Sequence, residues 1–362
     1  MIDLLKTLEK KNVEKIVGRQ NGKKSIFTKF VYSFLLLEQL NTILEGKHYV
    51  FKGGTSLLLL FQESSRFSID IDISMEEEQY QYRDELTNIF KSKIRYPFTN
   101  VTRDSDGRIH GGRNIKASHY RFYYKTDYEV DENYVLLDVV FQNIQFSSKA
   151  IKVDSPYIIQ NGEPAIVNTI DPNDLLGDKL TAFAPNTIGV KYTAKNQFGR
   201  PKSCEIIKQM FDCSFIINKI SKINEERVAR IYNDVGNYQI IGESNKQLTI
   251  SRCLFDTLKT CEMILSKGST DKEKYNVLIN GLISFNDYKI GESVTLIDLQ
   301  RYAINISLLV GHLMGTLSPS VNHENKIDYL VRTGIKEKEL LLLDSKERID
   351  EMISYLTIKP TI

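Results

Sequence analysis

The sequence has little cysteine, no long hydrophobic run and no excess of charge of one sign. Its 362 residues include four cysteines, and no two of them form a CxxC pair or another spacing that binds a metal. A disulfide-stabilised scaffold is therefore not expected, and a reducing compartment fits better. The five histidines likewise show no spacing typical of a metal site, and we expect them to be structural.

Charge and hydropathy argue against two further classes of protein. The 48 Lys and Arg residues nearly balance the 46 Asp and Glu residues, which excludes a generally basic nucleic-acid coat but leaves room for a local basic patch. Apolar runs such as residues 57–61 are too short to span a bilayer. The first 20 residues lack the apolar core of a secretion signal. We therefore expect a cytoplasmic globular protein that does not enter a membrane.

The chain changes character near residue 170. Before it, segments with helical spacing alternate with segments rich in aromatic and β-branched residues, which are typical of strands. After Asp171-Pro172, a plausible helix start, nearly every segment has helical periodicity. We predict an α/β domain over residues 1–168 and a helical domain over residues 169–362. The predicted strands are 48–52, 67–74, 120–128, 134–142 and 150–154, and the predicted helices are 31–44, 55–62, 76–94, 173–183, 201–220, 225–235, 251–267, 296–317 and 336–355.

Two aspartates in one predicted strand form the first part of a candidate site. Asp70 and Asp72 are two residues apart, so they face the same side of a strand while the isoleucines between and beside them face the other. Neighbouring carboxylates repel unless a cation lies between them, and their oxygens suit Mg²⁺.

Asp138 supplies a third carboxylate from an otherwise apolar strand, residues 134–141. If this strand neighbours the first, the three aspartates form a cluster able to hold two Mg²⁺ ions, which would activate an attacking hydroxyl and stabilise a leaving pyrophosphate. The alternative is a salt-bridged residue on an edge strand.

Gly53, Gly54, Thr55 and Ser56 form the second part of the candidate site. Glycines let a backbone approach phosphates closely, and the helix that follows offers free N–H groups and a positive dipole. The hydroxyls of Thr55 and Ser56 add donors. The spacing is not that of a Walker A loop. Singly, a GG turn or a DxD pair is common, but the order strand, turn, helix, strand, strand favours a catalytic site.

This order resembles the nucleotidyltransferase superfamily that includes DNA polymerase beta. More narrowly, KGGTSL at residues 52–57 with RFSIDID at residues 66–72 resembles the AbiEii-type toxins. These are nucleotidyltransferase components of type IV toxin–antitoxin and abortive-infection systems, which act in phage defence. The resemblance covers about residues 50–215 and implies an α+β fold with a mixed sheet and flanking helices, followed by a helical domain.

The resemblance also implies roles for individual residues. Asp70 and Asp72 would bind the metal ions, and Asp138 would ligate one and act as base toward the incoming hydroxyl. Two later segments extend the match, LLGDKLTA at residues 175–182 and KQMFD at residues 208–212, although Gln209 stands where an acidic residue is common. Lys179 would contact the nucleotide triphosphate, and Asp212 would position Lys179 or the substrate. The alternative for Lys179 is a solvated helix lysine.

Two segments of the sequence, residues 102–126 and 188–208, are rich in basic residues. Such segments suit the phosphates of a nucleotide or an RNA backbone, although a solvated strand face with core aromatics is an equally simple interpretation of the first. The basic residues are Arg103, Arg108, Arg113, Lys116, Arg121, Lys125, Lys191, Lys195, Arg200, Lys202 and Lys208.

The sequence thus predicts a Mg²⁺-dependent enzyme that transfers a nucleoside monophosphate from an NTP to an acceptor hydroxyl. The resemblance implies a growth-arresting toxin that modifies the 3′ end of tRNA and is neutralised by a separately encoded antitoxin. Two alternatives stay open, namely an enzyme that modifies a small molecule or a protein, and a non-catalytic nucleotide-binding module.

Overall fold

The chain separates into two units that we describe in turn. The computed structural model describes residues 1–18, 21–63, 66–104, 115–126, 133–193, 202–243, 245, 247–317, 322–323 and 358–359. The first unit is Met1–Asp171 with Asp287–Ser293, and the second is Pro172–Asn286 with the described residues from Val294 onward. The predicted boundary between residues 168 and 169 stays a prediction.

A mixed sheet forms the centre of the first unit. Its elements in chain order are α1 (Leu4–Thr7), α2 (Lys10–Val17), α3 (Asn21–Ile43), β1 (Tyr49–Lys52), α4 (Gly53–Phe61), β2 (Ile71–Met75), a 3₁₀ helix (Glu77–Tyr82), α5 (Arg83–Lys93), β3 (Phe98–Arg103), β4 (Ala117–Tyr124), β5 (Asn133–Phe141), β6 (Ser148–Lys152) and β7 (Ile166–Ile170). Within the described residues the sheet has seven strands in the order β3-β4-β5-β2-β1-β7-β6. β2 runs parallel to β5 and antiparallel to β1, and β4 runs antiparallel to β5.

One face of the central strands forms the core of this unit. Ile71 and Ile73 on β2, and Leu137 and Val139 on β5, are fully buried there with phenylalanines of α3. Because strand side chains alternate, the residues between them face the opposite side of the sheet. The carboxylates of Asp72 and Asp138 therefore lie on the face away from this core.

The second unit is helical and begins at a proline in the first position of a helix. Its helices are α6 (Pro172–Ala182), α7 (Ser203–Lys219), α8 (Glu225–Ile241), α9 (Ile250–Leu265), α10 (Lys272–Phe285) and α11 (Leu296–Leu317), and two short strands, β8 (Asn322–His323) and β9 (Ile358–Lys359), pair with each other. Among the described residues, the side chains of Asn224, Thr249, Asp271 and Thr295 cap the N-termini of α8, α9, α10 and α11. In the part of the chain that the structure describes, no helix is long and apolar enough to cross a membrane.

The structure confirms the α+β fold and shifts some predicted elements. β2 begins at Ile71 rather than at residue 67, because the Phe67 N–H donates to the Tyr288 carbonyl and the Asp70 carbonyl accepts from Thr55. These backbone groups are therefore not available to a neighbouring strand. The predicted helix over residues 76–94 is a 3₁₀ helix followed by α5. The predicted helix 336–355 lies outside the described residues.

Candidate active site

The turn between β1 and α4 packs directly against the second aspartate of the DxD pair. Gly53 has φ +79°, in the region that favours glycine, and a Cβ atom there would overlap the Asp72 carboxylate. A Cβ atom on Gly54 would lie 2.5 Å from Nη2 of Arg66 and 2.7 Å from Oγ of Ser68. Gly53 is therefore required by its backbone conformation and its close approach to Asp72, which places the N-terminus of α4 beside that carboxylate.

The hydroxyls that follow the glycines are used inside the turn. Thr55 Oγ1 donates to the Asp70 carbonyl at 2.6 Å, and Ser56 Oγ donates to the Gly53 carbonyl at 2.7 Å. Both residues are fully buried. Their donors stabilise the turn, so the backbone N–H groups at the start of α4 are the donors that remain for a phosphate.

Four polar side chains form one row across the sheet. Lys52 lies opposite Asp72 in register, Asp72 opposite Asp138, and Asp138 opposite His119. Register partners face the same side of a sheet, so these side chains share the face away from the core. Lys52 is largely buried and its Nζ lies 5.4 Å from the centre of the Phe146 ring. We refer to Lys52, Asp72, Asp138 and His119 as the polar row.

The two outer members of the polar row are basic residue types. Adjacent strands lie about 4.8 Å apart, a separation at which two carboxylates repel. His119 Nδ1 contacts Asp138 Oδ1 at 2.5 Å. Asp138 is therefore paired, but on an interior strand rather than on the edge strand of the alternative interpretation. The row holds two carboxylates side by side between a lysine and a histidine.

Asp70 differs from the other two aspartates because it precedes β2. Its side chain is half-buried, and its carbonyl is held by Thr55. Across the described ranges, no group of three or more His, Cys, Asp or Glu side chains is arranged to hold a metal ion. The structure pairs Asp72 with Asp138 in register and places Asp70 directly before β2, two residues from Asp72.

The pair Asp72 and Asp138 nevertheless fits a magnesium ion. Mg²⁺ in phosphoryl-transfer sites is bound through one or two carboxylates, and substrate phosphates and water complete its shell. Two carboxylates in register beside a helix N-terminus supply that donor set.

Lys179 and Asp212 form a buried ion pair in the second unit. Lys179 Nζ lies 2.9 Å from Asp212 Oδ2 and donates to Gln209 Oε1 at 3.2 Å. Gln209 and Asp212 are three residues apart on α7, so they present their oxygens on one face of the helix. Both charged side chains are at least nine-tenths buried. The alternative of a solvated Lys179 is therefore wrong, and Gln209 is a partner of this lysine.

Most of the described basic residues in the two basic segments pair with acidic residues, and three of them pair with acidic residues outside these segments. Arg103 pairs with Asp84 at 2.9 Å, and Lys191 pairs with Glu243 at 3.5 Å. Tyr120, Phe122 and Tyr124 belong to the core. The other pairs are Lys116 with Glu77, Arg121 with Asp104 and Lys208 with Glu205, while Arg108, Arg113, Lys195 and Arg200 lie outside the described residues.

Sequence reasoning missed three residues around the carboxylates. Lys52 and Arg66 lie within the KGGTSL and RFSIDID motifs, but the sequence pattern did not indicate a role for either of them. Arg66 is buried, its Nη1 donates to the Phe67 carbonyl at 3.0 Å, and its guanidinium abuts Gly54. His119 was expected to be structural, and only the pairing of β4 with β5 reveals its partner.

The mixed sheet with a glycine turn beside paired aspartates is the arrangement of a nucleotidyltransferase. The family model for the nucleotidyl transferase AbiEii toxin of type IV toxin–antitoxin systems matches residues 35–249. The chain therefore belongs to the AbiEii nucleotidyltransferase toxin family.

Three solved structures match the chain at low sequence identity, and the similarity of fold rests on the first of them. The nucleotidyltransferase toxin MenT4 from Mycobacterium tuberculosis is 14% identical with a TM-score of 0.51, over 95% of this chain and 97% of that chain. JHP933 from Helicobacter pylori is 14% identical with a TM-score of 0.42, over 80% and 94% of the two chains. A putative nucleotidyltransferase from H. pylori is 15% identical with a TM-score of 0.41, over 82% and 99%. No curated protein matches the sequence.

Proposed function

We propose that the protein is a cytoplasmic toxin that transfers a nucleoside monophosphate from an NTP to the 3′ end of tRNA, with Mg²⁺ held by Asp72 and Asp138 and with Asp70 as a further ligand. The observation that carries the proposal is the close contact of Gly53 with Asp72 on β2, whose register partner on β5 is Asp138. This contact places the backbone N–H groups at the start of α4, which can donate to phosphates, beside a carboxylate that can bind a cation. A separately encoded antitoxin neutralises the toxin.

The chemistry is an in-line displacement at the α-phosphorus. The acceptor oxygen forms a bond to that phosphorus, the bond to the bridging oxygen of the β-phosphate breaks, and pyrophosphate leaves. Asp138 takes the proton of the acceptor hydroxyl. Mg²⁺, when bound, supplies positive charge that offsets the charge of the phosphates.

Backbone and basic groups hold the triphosphate. The N–H groups at the start of α4 donate to phosphate oxygens, and Gly53 and Gly54 allow that approach. Lys179 contacts the triphosphate and offsets the charge that develops on it. Asp212 and Gln209 position the Lys179 ammonium, which the contacts of 2.9 Å and 3.2 Å support. The proposal thus assigns residues 1–168 to a nucleotidyltransferase domain and residues 169–362 to a helical domain that carries Lys179 and Asp212.

The acceptor in the proposed reaction is the 3′ end of tRNA. Membership of a toxin family supports a nucleic-acid target, whereas the internal pairing of several basic residues weakens the argument from charge alone. Direct labelling decides between acceptors.

The test is incubation of the purified protein with each α-³²P-labelled NTP, Mg²⁺ and total tRNA, beside an Asp70→Ala variant. We expect label on tRNA with the wild type only, and with one NTP preferred. Label on the protein or on a small molecule would keep the transfer chemistry and overturn the tRNA acceptor. NTP binding without any labelling would contradict the proposed activity.

A further inference from the structure

His119 and Asp138 make a close side-chain contact at one end of the polar row. The two side chains are register partners on β4 and β5, and Nδ1 lies 2.5 Å from Oδ1. An ionised carboxylate only accepts hydrogen bonds, so the hydrogen of this bond is on His119 Nδ1. The bond occupies one of the two carboxylate oxygens and turns the other, Oδ2, away from the imidazole.

His119 itself is held firmly in place. Its carbonyl accepts from the Asp104 N–H at 2.9 Å, and its side chain is 11% exposed. The next residue, Tyr120, is fully buried opposite Leu137 and packs against Phe90. The strand is therefore anchored on its core face, and the imidazole has little freedom to leave Asp138.

Asp138 needs such a partner because Asp72 is its neighbour in the parallel ladder. Like charges on adjacent strands favour rotation of one carboxylate away from the other. A donor on the far side of Asp138 opposes that rotation by fixing Oδ1 on its own side. Partners of this kind commonly orient the carboxylates and imidazoles that bind metal ions.

We infer that His119 is a positioning residue that fixes the Asp138 carboxylate so that Oδ2 is presented beside Asp72 for a divalent cation. The inference rests on the proposed function for its catalytic consequence. Its structural content, the dependence of cation affinity on His119, is independent of which acceptor the enzyme uses.

The test compares two substitutions that differ in one hydrogen bond. His119→Asn keeps an N–H donor close to the position of Nδ1, and His119→Leu removes it. His312→Leu is the matched control, because His312 Nδ1 lies 2.8 Å from Glu225 Oε1 in the helical unit and has no role in the site. Mn²⁺, which takes the same oxygen ligands as Mg²⁺, is titrated into nucleotide-free protein and followed by the electron paramagnetic resonance signal of the free ion.

We expect His119→Leu to weaken Mn²⁺ binding and to lower kcat by about 10- to 100-fold each, with little change in the KM for the NTP. His119→Asn should stay within about threefold of the wild type, since the donor is kept. His312→Leu should match the wild type in Mn²⁺ affinity. Thermal unfolding of each variant, followed by circular dichroism, separates lost positioning from lost folding.

Three results would overturn the inference. They are unchanged Mn²⁺ affinity in His119→Leu, equal losses in the Leu and Asn variants together with lowered unfolding temperatures, and a wild type that binds no Mn²⁺. A wild type that binds Mn²⁺ in a His119-dependent manner but transfers no nucleotide supports the inference and contradicts the proposed function.

Discussion

At the scale of single residues, the site depends on the side chain that position 53 lacks. Gly53 combines a positive φ with a close approach to Asp72, and each condition alone already disfavours any other residue. The sequence predicted that the glycines form a phosphate-binding turn, because glycines let the backbone approach a phosphate closely. Their contact with a carboxylate 19 positions later could not be predicted, because it depends on how β1 and β2 pair.

Gly53→Ala should lower the transfer activity at least about 10-fold, because the added methyl group displaces the Asp72 carboxylate. Gly162→Ala is the matched control: Gly162 has φ +92°, and nothing lies within 4 Å of its Cβ position. Both variants carry backbone strain of about 1–3 kcal/mol, measurable by urea unfolding. Equal activities of the two variants would contradict the proposed role of the Gly53 contact.

At the scale of secondary-structure elements, register creates the site. The alternation of β2 correctly predicted that Asp72 faces away from the core while Ile71 and Ile73 are buried in it. It did not identify neighbours: β2 lies beside β5, and β5 beside β4, through pairings that are distant in sequence. The pairing of Asp72 with Asp138 could therefore be predicted only on the condition that their strands are neighbours, and the role of His119 could not be predicted. β3, β7 and α10 were missed because their short or mixed patterns resemble loops.

The two helices α6 and α7 are joined by a buried charge pair, and its removal has a predictable cost. Lys179→Met should destabilise the protein by about 3–5 kcal/mol, because the fully buried Asp212 loses a buried cationic partner at 2.9 Å. The double variant Lys179→Met with Asp212→Leu should recover much of that stability while remaining inactive. Urea unfolding monitored by circular dichroism gives both values, and equal stability of the single variant and the wild type would contradict this prediction.

At the scale of the whole molecule, the family match spans residues 35–249 and thus parts of both units. The KGGTSL and RFSIDID motifs were sufficient to predict the family. The periodicity of the apolar residues predicted the change from a mixed to a helical architecture, because strands and helices differ in period. It did not predict that Asp287–Ser293 belongs with the first unit, since that depends on contacts such as the Phe67 N–H with the Tyr288 carbonyl.

Buried acids in both units predict a loss of stability at alkaline pH. Burial raises the pKa of Tyr49 to about 12, from 10.0, and that of Cys253 to about 11, from 9.0. The folded chain therefore holds these protons at pH values where the unfolded chain releases them. Consequently the free energy of unfolding falls as pH rises above about 9, by up to about 1.4 kcal/mol per pH unit for each such group.

Urea unfolding at intervals between pH 7 and pH 11 checks this prediction. Tyr49→Phe removes one of these groups and should reduce the decline above pH 10. A free energy of unfolding that is constant up to pH 11 would contradict the burial of these groups.

Nucleotide transfer by Asp72→Asn, compared with Asp154→Asn, tests directly whether the register-paired carboxylates carry out the reaction. Asp154 accepts from the Ser155 N–H at 2.8 Å, a bond that an asparagine oxygen also accepts, and it lies outside the polar row. Release of pyrophosphate under single-turnover conditions is measured together with label transfer. We expect a loss of at least about 100-fold for Asp72→Asn and wild-type activity for Asp154→Asn. Activity of Asp72→Asn within about threefold of the wild type would contradict the assignment of transfer to the register-paired carboxylates.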